Sequence, residues 1–238
     1  MCGRYSITQD LSELEKLVKF ICKVMDFKPR YNIAPRSLVP VLVWENHETV
    51  LKNMRWGLIP SWSKDEKIGD KMTNARAETL TEKPSFKKPF QKQRCLIPAD
   101  GYFEWQRSGQ SKIPFRFTMA DHKFFCMAGL WERWIRPDQE GELDLDDSGP
   151  NLNQIVETFT IITCEPNLMA AKVHNRMPVI LGAEHYSWWL EPKFEPEFLK
   201  TLLRPFPTDL MDCRQVSSIV NNARNDGPEC IGQSSDRV

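Results

Sequence analysis

The residue best equipped to do chemistry without help is Cys2. An initiator methionine is readily trimmed when the next side chain is small, and trimming here leaves a free amine and a thiol on adjacent carbons. The amine can attack an aldehyde to give a Schiff base, and the thiol can then close on the imine carbon to form a five-membered thiazolidine ring. An α-amino group has a pKa of roughly 7.7–8.0, so about a tenth of it is neutral and nucleophilic at neutral pH. The competing reading is that position two is cysteine by chance, so other residues must decide.

Four tracts bear on that choice. MRWGLIPSW crowds two of the chain's eight tryptophans beside an arginine and turn-forming residues. Such rings either stack on unpaired bases or fill the core. KMTNARAE sets Asn74 and Arg76 two apart, so in a strand both side chains face one way. They either converge on one ligand or serve as a capping amide and a surface cation. PADGYFEWQ holds Glu104 within an aromatic strand just after a glycine turn. Either the carboxylate is desolvated, which would raise its pKa toward that of a general acid, or it points to water while Phe103 and Trp105 point inward. AAKVHNRMPVIL sets His174 and Arg176 at the edge of an apolar strand, where sites are often built, although a structural role suits such a histidine equally. His47, His122 and His185 have the surroundings of turn or surface residues.

The elements that would position these residues are strands more than helices. A short strand is expected at Arg4 to Ile7. In DLSELEKLVKFI, the spacing of Leu11, Leu14, Leu17, Val18 and Ile21 predicts an amphipathic helix capped by Asp10. LVPVLVW and VLKNMRW flank the turn ENHE as a hairpin. Further strands are expected at RCLIP, GYFEWQ, PFRFTM, KFFCMAGLW, VETFTIITC, MPVIL and RQVSSIV, with short late helices at EHYSWWLE and EPEFLKTLL. The class is α+β with antiparallel pairing dominant. One domain over 1–238 is expected, with an acidic mobile loop at about 137–153 and fraying after about 231.

Composition narrows the function classes. The seven cysteines show no C-x-x-C pair and no regular spacing, which suggests neither a disulfide framework nor a zinc site; five sit in or beside apolar stretches. No cofactor is expected. Formal net charge is zero, so bulk electrostatics cannot hold nucleic acid and any such binding must be local. No apolar run is long enough to span a bilayer and no secretory signal is evident, so a cytoplasmic protein is expected.

The tracts MCGR, YNIAP, MRWGLIPSW, TNARAET, CLIPADGYFEW, HNRMPVIL and VSSIVNNARND occur in an order that resembles the SRAP family, the SOS response-associated peptidases or abasic-site processing proteins. The resemblance runs across nearly the whole chain. It implies a twisted, partly barrel-like sheet with short helices and a positively charged channel for single-stranded DNA. It implies that Cys2 forms a thiazolidine cross-link with the ring-opened sugar of an abasic site. By motif position, Asn74 would hold the sugar or the cysteine amine, Glu104 would protonate the ring oxygen, and His174 would move protons later. Arg4, Arg76 and Arg176 would contact phosphates, while Pro35, Trp62 and Trp105 would shape the site or stack on nucleotides. Self-removal of Met1, strand-cleaving lyase activity, a monomeric state and association with the nucleoid when bound to DNA belong to the same expectation. Ser63 stands where many relatives carry a second aromatic, which would weaken handling of single-strand/double-strand junctions. Two other classes compete: a cysteine peptidase with Cys2 as thiolate and His174 as base, and a non-covalent reader of single-stranded or modified nucleic acid.

Overall fold

The computed structural model describes residues 2–137 and 155–233. Its strands begin with β1 (Arg4–Ile7), β2 (Ile21–Cys22), β3 (Arg30–Ile33), β4 (Leu38–Glu45), β5 (Glu48–Trp56), β6 (Asn74–Arg76) and β7 (Arg94–Ala99), helix α1 (Pro84–Lys92) preceding β7. They continue as β8 (Gly101–Ser108), β9 (Ser111–Met119), β10 (Phe125–Ile135), β11 (Ile155–Cys164), β12 (Met177–Pro178) and β13 (Ile180–Leu181). Helices α2 (Tyr186–Leu190) and α3 (Pro196–Lys200) come before the last strand, β14 (Met211–Gln215).

The expected hairpin is β4–β5, turning on Asn46 and His47, which both adopt positive φ as a tight two-residue turn demands. β4 pairs with β7, β7 with β10 and β10 with β11, all antiparallel. A parallel contact of β11 with β5 then closes a five-stranded ring. β6 attaches to β11, also in parallel. A second sheet runs β14-β9-β8-β1-β3, antiparallel throughout. One apolar core runs between the two, with Tyr5 and Tyr102 from the second sheet buried together with Leu42, Leu96 and Phe159 from the ring. The class is α+β, as expected, and among the described residues no helix is long and apolar enough to cross a membrane.

The chain passes from ring to second sheet at Asp100, which is buried. Its carboxylate accepts from Ser6 Oγ at 2.6 Å, Thr8 Oγ1 at 2.6 Å and the Gln9 amide at 3.2 Å, and pairs with Arg116 at 2.8 Å. A buried charge is tolerated only when paired and hydrogen-bonded in this way. Gly101 follows because the Arg116 guanidinium lies where its side chain would be, 2.4 Å from a Cβ. The network fixes β1, and with it the residues that precede Ser6.

Some expected elements need correction. The helix after Asp10 is only a 3-10 turn at Leu11–Lys16, although Asp10 caps it as expected by accepting from the Ser12 amide at 2.8 Å. Ile21 is exposed in β2, because the unpaired edge of β5 takes Ile21 and Cys22 as a parallel strand and ends the helical run. RQVSSIV is a strand only to Gln215; Ser217 then caps a 3-10 turn at Ser218–Asn221. In the tail past Ile231, where fraying is expected, Gln233 bridges to Val216. Residues 234–238, and the acidic stretch beyond Pro137, lie outside the described residues. Helix α1 was hidden by its two prolines; one opens the helix and the other is buried with Phe86 and Phe90. Of the thiols, Cys95, Cys126, Cys164 and Cys230 are buried, Cys213 is half-buried and Cys22 exposed.

Candidate active site at the amino-terminal cysteine

Cys2 leads into β1 and its side chain is fully buried. Burial, reinforced by the charge of Glu104, pushes the thiol well above its ordinary range, so it rests protonated. Asn74, at the start of β6, reaches it from the ring: its Nδ2 donates to the Cys2 carbonyl at 2.9 Å and to Thr73 Oγ1 at 3.1 Å. Asn74 Oδ1 is buried without a hydrogen-bond partner among the described residues. A buried amide oxygen of that kind suits an amine or hydroxyl donor brought to the site.

Glu104 is 4% exposed. Both faces of β8 are covered: Tyr102 lies in the main core, while Phe103 and Trp105 pack against Val216, Val220 and Cys230. This rules out the reading in which Glu104 points to water. Burial pushes its carboxyl up to about 7, against the pull of the amino-terminal positive charge. His174 Nδ1 lies 3.9 Å from Glu104 Oε1. The same nitrogen lies 3.1 Å from the Arg176 amide nitrogen and 3.3 Å from the Arg176 carbonyl oxygen. Burial, then the amino-terminal charge, holds the imidazole below its ordinary range. The resting site thus holds a protonated thiol, a carboxyl poised to donate near neutrality and a mostly neutral imidazole.

A cleft of about 530 Å³ opens beside these groups, with Arg4, Glu104, Trp105, Arg107, Lys112 and His174 among its walls. Positive charge is therefore concentrated locally although the chain is neutral overall. Arg107 and Lys112 are cross-strand partners on the β8–β9 hairpin. Lys172 adds to the adjoining surface, where Gln106 Nε2 donates to its carbonyl at 2.9 Å. None of these three cations was singled out from the sequence. Alternation from Trp105 would have found Arg107, whereas Lys112 and Lys172 depend on pairing and packing.

The remaining residues named from the sequence fall in different places. Asn74 and Arg76 share a face of β6, with Ala75 buried on the other, but Asn74 is half-buried and Arg76 exposed. Arg176 is bound bidentately by Glu78 at 2.7 and 2.9 Å and donates to the Thr163 carbonyl at 2.6 Å, so in this state it ties β11 to the 3-10 turn at Ala77–Thr79. The two tryptophans of MRWGLIPSW divide the readings between them. Trp56 is core, edge-on to Tyr5 at 5.3 Å and stacked on Phe159 at 6.3 Å, whereas Trp62 is 61% exposed. Between them Gly57 has φ of 120° and packs against Gly69, whose oxygen lies 2.7 Å from where a Cβ would sit. Ser63 is buried as a turn residue, its Oγ donating to the Asp65 carbonyl at 2.9 Å and its own carbonyl accepting from Trp134 at 2.6 Å. Pro35 is half-buried in the loop before β4. Among the described residues no cluster of histidine, cysteine and carboxylate side chains could hold a metal ion.

Fold and site together define a barrel-like α+β protein in which a buried cysteine at position two is flanked by an amide, a carboxyl and an imidazole. The chain belongs to the SOS response associated peptidase (SRAP) family, which it matches over residues 1–223. It is 42% identical over 236 residues to the abasic site processing protein YoqW of Bacillus subtilis, covering 97% of this chain and 99% of that one. It is 34% identical to the abasic site processing protein HMCES of Gallus gallus, covering 86% and 66%. A crystal structure of a protein from Bacteroides thetaiotaomicron superposes with a TM-score of 0.83 at 29% identity, covering 98% of this chain and all of that one.

Proposed function

We propose that the chain processes abasic sites in single-stranded DNA by covalent capture through Cys2 once Met1 has been removed. The observation that carries this reading is Glu104, a buried carboxyl held near 7 beside Cys2. An abasic sugar hides its aldehyde as a cyclic hemiacetal, and opening it needs a proton delivered to the ring oxygen. Glu104 is the donor. The freed aldehyde carbon is attacked by the Cys2 amine, for which Asn74 Oδ1 is an available acceptor; loss of water gives the imine. The thiol then adds to the imine carbon, its proton passing to the nitrogen, and the five-membered ring closes with one water lost overall. His174, neutral at rest and with Nδ1 3.9 Å from Glu104 Oε1, is placed to take up the proton that the anomeric hydroxyl releases on opening and to pass it back to Glu104. Basic groups of the cleft hold the DNA backbone, and exposed Trp62 offers a stacking face.

The protonated state of the Cys2 thiol supports this order of events over a thiolate peptidase acting on other proteins, because the amine attacks first and needs no thiolate. The same groups suit cleavage of the bond ahead of Cys2, which would expose the amine. Mass spectrometry of the amino-terminal peptide after incubation with an abasic oligonucleotide is the test. The expected product carries the sugar on Cys2 minus one water, absent in Cys2→Ala and in chains retaining Met1. An adduct on any other residue, or salt-sensitive binding with no adduct, sinks the proposal; the second outcome leaves a non-covalent reader.

A further inference from the structure

Two motifs, YNIAP and VSSIVNNARND, have no part in the chemistry above, yet they meet in space. Asn32 of β3 is 1% exposed. Its Oδ1 accepts from Arg4 Nη1 at 2.9 Å, and its Nδ2 donates to the carbonyls of Val220, Asn222 and Asn225 at 3.2, 3.1 and 2.8 Å. Asp226 grips β3 in return, accepting from the Tyr31 and Asn32 amides, both at 2.7 Å, and from Arg30 Nε. The segment held in this way touches two walls of the cleft. The Val220 carbonyl is a second acceptor for Arg4 Nη1 at 2.9 Å, and Asn221 Oδ1 accepts from Trp105 Nε1 at 2.6 Å. The Arg4 guanidinium lies 5.8 Å above the Trp105 ring.

Arg30, Arg36, Arg116 and Arg176 each lie against a carboxylate. Arg4 is instead bound by an amide oxygen and a backbone carbonyl, which orient the guanidinium without neutralising it. Both bonds use Nη1, so Nε and Nη2 have no protein partner among the described residues, and the side chain lines the cleft. A cation that is aimed yet uncompensated in a cleft is prepared for an anion.

We infer that Asn32 and Asp226 are positioning residues: they lock residues 217–226 onto β3 so that Arg4 and Trp105 are preset to take one phosphate and the adjacent base of a single-stranded nucleic acid. The inference rests on the proposed DNA reading of the cleft. Asp226 lies beyond residues 1–223, where the family match ends.

The test measures equilibrium binding of an unmodified single-stranded oligonucleotide, which has no aldehyde, by the full chain at several salt concentrations. Losing one phosphate contact makes the slope of log affinity against log salt shallower by about 0.7, or about 2.6-fold in the ratio of affinities at about 50 and 200 mM salt. Arg4→Ala and Asn32→Ala are each expected to show that change, and Arg4→Ala/Asn32→Ala no more than Arg4→Ala. Asp226→Asn, which keeps the side chain's shape, is the milder variant should Asn32→Ala fail to fold, and it is expected to lower the slope in the Arg4 chain and leave it unchanged in the Arg4→Ala background. Equal effects of Asn32→Ala or Asp226→Asn in the two backgrounds overturn the inference while leaving the DNA reading intact, because a purely structural role is additive. No change in Arg4→Ala itself overturns the placement of a phosphate at Arg4, and the inference with it.

Discussion

Glutamine in place of Glu104 keeps the volume and one oxygen of the side chain but removes its charge and its proton, which separates the stability effect of burial from the catalytic one. Burial lifts the carboxyl from 4.5 to about 7, so the ionised form is disfavoured in the folded chain by about 3 kcal/mol at 1.36 kcal/mol per unit. Below 4.5 the group is protonated in both folded and unfolded chains and burial carries no ionic penalty. Between 4.5 and 7 the unfolded chain loses its proton first, so stability falls as pH rises, and above 7 the whole penalty is present. Glu104→Gln is therefore expected to be neutral near the lower value and stabilising by up to about 3 kcal/mol at about pH 8, a rise of about 6–12 °C in Tm for a chain of this size. The same change removes the proton donor, and cross-linking to an abasic oligonucleotide is expected to slow by about 10²–10⁴-fold. In the parent chain the protonated carboxyl is lost above about 7 while the neutral amine grows toward about 8, so the rate passes through a maximum near pH 7.5. In Glu104→Gln only the rising limb remains. Melting curves at the two pH values and gel time courses of adduct formation give both readouts. A stability gain that is equal at both pH values refutes a buried carboxylate, and a parent profile that only rises refutes its role as acid.

Three further changes probe the frame and the surface. Asp100→Ala leaves Arg116 buried and unpaired and frees β1, and a loss of about 3–5 kcal/mol in denaturant melts is expected; a loss below 1 kcal/mol would mean that water replaces the carboxylate. Gly57→Ala places a methyl against the Gly69 backbone at positive φ, and destabilisation of at least about 1–3 kcal/mol is expected from the backbone conformation. Trp62→Ala removes an exposed ring, so stability should change by less than about 0.5 kcal/mol. If Trp62 stacks on a base, single-strand affinity falls by about 1–3 kcal/mol in the same variant, and unchanged affinity removes it from the interface.

Much of this protein is determined by local pattern. The β4–β5 hairpin follows from apolar runs on either side of two turn residues, and a cysteine directly after the initial methionine marks the candidate reactive position. Period-two alternation places Asn74 and Arg76 on one face without any knowledge of what lies opposite. Other features depend on which strands meet. Whether Glu104 faced water was undecidable from GYFEWQ, because alternation assigns faces but not what covers them; packing on both sides of β8 raised its carboxyl. The helical spacing from Leu11 to Ile21 was real, yet the open edge of β5 offered a better partner for Ile21 and Cys22. Trp56 and Trp62 look equivalent six residues apart, and only ring closure buries one and leaves the other in solvent. Seven tracts scattered along the chain point to the family, while long-range pairing sets the distances, burial and proton affinities of the residues they contain, since each is a property of groups distant in sequence.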